Sequence, residues 1–216
     1  MTPRGPWARL LGCALAAALL TGCARGAIPA ERTASGSRAG PQRTVPPIVS
    51  RVPTADRVVF LAYEGGAGQG AEGIGPFRDR HVPVSLFLAG AAGGGGDGGP
   101  SLGAQVQNRT LTHVLLPGLG YVEQHAEICG QRDRIEARFG TAPRLLHPPS
   151  GAYDGSTLLA AGACAVDAIV LWREPRGTPR PGDILPVHGM RQEAAARLLD
   201  RVRQAGLTVG RLEDYL

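Results

Sequence analysis

From residue 57 to the C-terminus, apolar runs of strand length alternate with polar-studded segments of helical length, and no other feature of the chain narrows its fold as much. The strand-length runs cover 57–63, 82–88, a weaker 105–108, 144–147, 166–172, 183–188 and 207–212. Over 121–139, Val122, Ile128, Ile135 and Phe139 recur at helical spacing with charges between them, and Gly140 follows, which predicts a helix ended by a left-handed glycine. Further helices are expected over 156–161 and 192–204. Strands joined by helices predict an α/β fold with a mainly parallel sheet, open or closed into a barrel. An apolar content of 43% over 216 residues supplies one core and leaves no room for a second full domain.

The N-terminus reads differently. Arg4 and Arg9 precede an apolar run over 10–20 that is too short to span a bilayer, the pattern of a signal peptide. Leu20-Thr21-Gly22-Cys23 is similar to a lipobox, in which residues 1–22 are cut away and Cys23 becomes the acylated N-terminus. Each acyl methylene buried in lipid contributes about 0.8 kcal/mol, so two or three chains hold a protein at a membrane. The expected location is extracytoplasmic, lipid-anchored to a bacterial cell membrane. Residues 23–55, rich in Ala, Arg, Ser, Pro and Thr without hydrophobic periodicity, are expected to be a disordered tether, with the folded domain over 56–216. Cys13 leaves with the signal and Cys23 carries lipid, so Cys129 and Cys164 remain as an even pair. Outside the cytoplasm they are expected to bridge, the alternative being two reduced, buried thiols.

Charge excludes little. All 23 basic residues are arginine, which reflects GC-rich coding, and the net charge of +5 is compatible with anionic wall polymers. No basic helix or aromatic-interleaved patch marks a nucleic-acid partner. The GxGxxG pattern over 68–73 is no dinucleotide site, because Pro76 interrupts the helix that should follow. Residues 90–99, nearly all glycine, form a loose insert.

Four short segments sit at the C-terminal ends of expected strands, the edge where α/β sites assemble. They are Leu61-Ala62-Tyr63-Glu64-Gly65-Gly66, Asn108-Arg109-Thr110-Leu111-Thr112-His113, the stretch over 144–153 containing His147-Pro148-Pro149-Ser150-Gly151-Ala152-Tyr153, and Pro181-Gly182-Asp183-Ile184-Leu185-Pro186-Val187-His188. In order, they resemble the "LTFDDG", "NHTxxH", "RLFRPPYGxY" and "PGDIxLxH" segments of the polysaccharide deacetylase family, the NodB-homology carbohydrate esterases. The resemblance covers residues 57 to 216. It implies a distorted (β/α) barrel in which a divalent metal, held by an aspartate and two histidines, polarises an acetamide. An aspartate base activates water and a histidine acid protonates the leaving amine, so acetyl groups are removed from amino sugars.

Carried over position by position, the resemblance makes Glu64 the base and His188 the acid. Of the metal ligands only His113 survives, since Gly65 and Arg109 stand at the other two positions. His147, Pro148, Pro149, Ser150, Gly151 and Tyr153 line the implied substrate groove, with His147 replacing the arginine that steadies the base and Ser150 a tyrosine. One imidazole does not hold zinc, so no cofactor is expected and the deacetylase chemistry should be lost or impaired. Two alternatives stand beside this reading: a non-catalytic glycan-binding or scaffold lipoprotein, and an active enzyme whose zinc site is rebuilt from Glu64, His113, His147 and His188. In plainer structural roles, Glu64 pairs with Arg109, His113 and His188 bond backbone carbonyls at strand ends, and His81 and His125 lie on the surface. The expected partners are N-acetylated envelope glycan, peptidoglycan or chitin-like, and the membrane through the lipid, with the chain monomeric.

Overall fold

The computed structural model describes residues 45–65, 74–90, 105–172, 177–187 and 190–216. The signal peptide, the lipobox with Cys23, the tether up to residue 44, the glycine-rich pattern over 68–73, residues 91–99 of the insert and His188 lie outside the described residues.

The strands are β1 (Ile48–Val49), β2 (Val58–Gly65), β3 (Ser85–Leu88), β4 (Gln105–Asn108), β5 (Leu145–Leu146), β6 (Ala168–Val170), β7 (Ile184–Pro186) and β8 (Thr208–Gly210). They form one sheet in the order β1-β6-β5-β4-β3-β2-β7, with β8 also pairing with β2, and every strand pair is parallel. The helices are α1 (Gly75–Arg78), α2 (Tyr121–Phe139), α3 (Gly155–Ala163) and α4 (Gln192–Gln204). The sheet curls as a half-barrel of the deacetylase type, as the strand and helix alternation predicts.

The two edges of the sheet approach each other just after β1 and just before β7. Arg51 and Asp183 form an antiparallel bridge. Val52 N–H donates to the Gly182 carbonyl at 2.9 Å, and Gly182 N–H donates to Val58 at 2.7 Å. Gly182 holds φ at +85°, and a Cβ there would stand 2.2 Å from the Val52 carbonyl oxygen, so this seam requires glycine. The Arg51 guanidinium reinforces it with bonds to the Pro181 carbonyl and an ion pair to Asp183.

This seam corrects the expected tether. Residues 45–55 are not a free linker: Ile48 and Val49 pair with Ile169 and Val170, and Val49 and Val52 are buried. Two apolar residues after a pair of prolines carry too short a signal to read as a strand, and only pairing with β6 makes them one.

Side-chain alternation along β2 divides the core. Val59, Leu61 and Tyr63 point outward into a cluster with Phe77, Leu86, Ile135, Leu198 and Val202 beneath the helices. Val58, Phe60 and Ala62 point inward with Phe87, Leu145, Ala168, Val170 and Ile184. A third cluster, including Leu116, Ile128, Leu146, Ala160, Ala161 and Ile169, seals α2 and α3 onto β5 and β6. Helix α2 ends as expected: Gly140 adopts φ +72° and its N–H bonds the Glu136 carbonyl at 2.8 Å. Its buried face is Gln124, Ile128, Gln131 and Ile135, whereas Val122 is 74% exposed. Six residues before Ile128, Val122 lies well around the helix from the buried stripe, and two glutamines take positions that an apolar count overlooks.

Candidate functional site

The period of two that fills the interior also builds the site. Continuing the inward face of β2 past Ala62 reaches Glu64, β4 past Gln107 reaches Arg109, β5 past Leu145 reaches His147, and β6 past Val170 reaches Trp172. All four therefore meet at the C-terminal mouth of the sheet.

Glu64 is the hub. Its Oε2 is ion-paired with Arg109 Nη2. Its Oε1 accepts a hydrogen bond from Trp172 Nε1 at 3.1 Å and lies 3.3 Å from His147 Nε2. The His147 side chain is almost wholly buried, and its Nδ1 lies 2.8 Å from the Val170 carbonyl oxygen. The His147 ring stacks on Trp172 at 3.6 Å between centroids, and Phe87 packs against both rings. Stacking and hydrogen bonds thus hold His147 and Trp172 in a single orientation toward the carboxylate.

The Arg109 side chain is 12% exposed and Glu64's is 21%. Burial pushes the Arg109 pKa down, while the Glu64 charge and hydrogen bond oppose it. Arg109 Nε is buried and finds no hydrogen-bond partner among the described residues. The loop beyond Arg109 is fastened to α2: Asn108 Nδ2 donates to the Ile128 carbonyl, Thr110 N–H to Asn108 Oδ1, and the Thr112 N–H and hydroxyl to the Glu127 carboxylate. This fastening holds Thr110 and His113 in left-handed backbone, at φ +67° and +63°. His113 is exposed at the rim. Its pKa is lowered, first by desolvation from the atoms crowding one side of the ring and then by Arg109, with Glu64 acting in the opposite sense.

After β5 the chain makes a tight turn. Gly151 N–H bonds the Pro148 carbonyl and Ala152 N–H bonds Pro149, with Ser150 at φ +57°. Pro148 and Pro149 are buried, Gly151 is half-buried, and Ser150 and Tyr153 face solvent. Asp154 then caps α3 through a reciprocal bond pair with Thr157 and accepts from Gln124 of α2. These hydrogen bonds lower its pKa.

Among the described residues, those at the mouth do not fit a divalent metal. Gly65 offers no donor, and the Arg109 guanidinium, a fixed cation, is bound to the carboxylate. Glu64, His113 and His147 do not bring three donor atoms together: among the described residues the one such set, within 4.8 Å, is His125, Cys129 and Cys164. Of the rebuilt site expected from Glu64, His113, His147 and His188, the described residues bring Glu64 and His147 together, and His188 lies outside them. The plainer reading of Glu64 as the partner of Arg109 is what the fold contains.

Two residues escaped the sequence reading. The expected strand over 166–172 only ends at Trp172, whereas inward parity with Ala168 and Val170 points its side chain at the mouth. His125, expected on the surface, is half-buried beside the Cys129–Cys164 disulfide, whereas His81 is exposed. The disulfide itself, with Cα atoms 5.1 Å apart, matches the expected pair.

Comparison with known proteins gives this architecture its class. The polysaccharide deacetylase family model matches residues 100–169. An uncharacterized protein of Streptomyces coelicolor is 42% identical over 224 residues, covering 91% of this chain and 90% of that protein. A family 4 carbohydrate esterase from Bacillus anthracis shares the fold at a TM-score of 0.67 and 18% identity, over 77% of this chain and 86% of that one. A family 4 pseudoenzyme from the same organism matches at 0.64 and 17%, over 80% of this chain and 69% of that one. The chain thus carries a match to the polysaccharide deacetylase family model and has the fold of the family 4 carbohydrate esterases.

Proposed function

We propose that this protein is a lipid-anchored, extracytoplasmic member of the family that binds N-acetylated envelope glycan, peptidoglycan or chitin-like, as a monomer and without metal-dependent deacetylation. The observation that carries the reading is the Arg109–Glu64 ion pair: the carboxylate at the base position is engaged by Arg109, Trp172 and His147, and a guanidinium stands at a metal-ligand position. A base so engaged is poorly placed to take a proton from water. The exposed Ser150 and Tyr153, in the segment the family resemblance assigns to the substrate groove, support a reading in which an aromatic face meets sugar rings.

Fold relatives support the glycan class and the loss of chemistry. One is a peptidoglycan N-acetylglucosamine deacetylase, and another is a family 4 pseudoenzyme whose mutant has restored activity. The lipobox supports the anchor, with Cys23 as its acylation site.

The test is co-sedimentation of the purified protein with peptidoglycan and chitin, run beside an acetate-release assay with and without added zinc. Saturable binding without acetate release is the expected result. Zinc-dependent acetate release that is abolished in Glu64→Gln would sink the reading. For the anchor, mass spectrometry of membrane-extracted protein should show acylated Cys23, and Cys23→Ala should leave the membrane fraction.

A further inference from the structure

Away from the mouth, α2 and the end of α3 bring a second set of reactive side chains together. His125 and Cys129 stand four residues apart and therefore share one face of α2, while Cys164 caps the C-terminus of α3. His125 Nε2 lies 3.3 Å from Cys129 Sγ, and Cys164 Sγ lies 3.8 Å from the His125 carbonyl oxygen. The donor atoms of all three residues fall within 4.8 Å of one another. Cys164 is buried against Leu116, Ile128, Ala160 and Ala161, whereas His125 and Cys129 are half-buried and reachable from solvent.

We propose that this cluster is a redox-gated site for a thiophilic d10 cation such as Zn²⁺, closed when Cys129 and Cys164 are bridged and able to bind when they are reduced. Two thiolates and an imidazole are the soft and borderline donors such cations select, and three protein ligands leave a fourth position for water or another ligand. In a tetrahedral site with Zn–S of about 2.3 Å and Zn–N of about 2.0 Å, sulfur and nitrogen stand roughly 3.5 Å apart. The His125–Cys129 separation of 3.3 Å is already close to that edge. The two sulfurs need roughly 3.8 Å by the same geometry. With the Cα atoms 5.1 Å apart, rotation of the half-buried Cys129 side chain is enough to provide it.

The chemistry balances with a dithiol reductant. It supplies two electrons and two protons, the Cys129–Cys164 bond breaks, two thiols form and the reductant becomes a disulfide. Zn²⁺ then displaces both thiol protons to solvent, and His125 binds through Nε2 as the neutral imidazole.

The test titrates the full chain anaerobically with Zn²⁺ against a competing chromophoric chelator, once oxidised and once after treatment with a phosphine and its removal. Circular dichroism is recorded throughout. The expected result is one zinc per reduced chain and none per oxidised chain, with affinity weakened by more than about tenfold in His125→Ala, since loss even of groups behind the ligands costs that much. His113→Ala should change nothing. A reduced chain that loses helical signal and regains it with zinc agrees with the proposal. A reduced chain that binds no zinc, folded or unfolded, overturns it. So does zinc binding that survives in Cys129→Ser with Cys164→Ser, or zinc bound by the oxidised chain and lost in His125→Ala.

Discussion

The mouth of the sheet and the seam between α2 and α3 both gather titratable side chains at the ends of regular elements, yet they are built to opposite rules. At the mouth, Glu64 and His147 keep metal-ligand chemistry, but Arg109 stands against the carboxylate and neutralises it internally. At the seam, a histidine and two cysteines converge, and the covalent bond between the sulfurs occupies them instead. Donor type alone therefore does not define a metal site. What decides is whether the charge needed to balance the donors is already supplied, by a guanidinium in one case and by a shared electron pair in the other.

The largest effect should come from undoing the first arrangement. Gly65→Asp with Arg109→His restores two donors beside His113, and zinc should then bind at micromolar affinity or better, worth about 8 kcal/mol. Metal analysis and calorimetric titration check this. A folded double variant that binds no metal would mean that these positions do not face one point.

Breaking the seam comes next. The bridge joins residues 35 apart, and closing a loop of that size stabilises by about 3 to 4 kcal/mol in the chain-entropy account. Cys129→Ala with Cys164→Ala should lower stability by that order in urea unfolding.

Arg109→Ala should cost about 3 kcal/mol, because it removes the cation paired with a mostly buried carboxylate. Adding Glu64→Gln should recover much of the loss, as a neutral amide replaces the uncompensated charge. An unchanged midpoint in Arg109→Ala would show that the pair contributes nothing to the fold. Trp172→Phe keeps the ring stacked on His147 but removes one hydrogen bond to a charged acceptor, for about 1.5 kcal/mol.

The smallest effect is electrostatic. Because folding lowers the His113 pKa, the neutral ring is favoured in the native state. Its contribution to stability is present above the ordinary histidine value of 6.5 and is lost as pH falls through the lowered one. Arg109→Met removes a repelling cation and should move the His113 pKa upward, as followed by NMR titration of the ring protons. A downward movement would contradict the assigned influence of Arg109.

Much of this molecule was legible before its structure. Helices over 121–139 and 192–204 begin and end where the sequence pattern places them, and β4 matches 105–108. The terminal turns are written in local signals, such as Gly140 after Phe139. Strands β3 and β5 to β8 are recognised but shorter than their apolar runs, since burial extends past the residues that hydrogen-bond in the ladder, while β2 runs two residues beyond its expected end and β1 is missed. The parity that aims Glu64 at the interior was equally available for Trp172, but a motif-led reading follows the residues a family is known by and passes over others on the same face.

The sequence by itself determined the α/β alternation, the family segments in order and the even cysteine pair. These are local or additive properties, carried by residue type and spacing. Tertiary structure decided that residues 48–52 close the sheet edge against 181–183, that Trp172 and His147 hold the far side of Glu64, and that His125 meets the disulfide. Each of these contacts joins residues whose separation along the chain says nothing of their distance in space. Only the twist and pairing order of the sheet, and the packing of α2 on α3, bring them within hydrogen-bonding range.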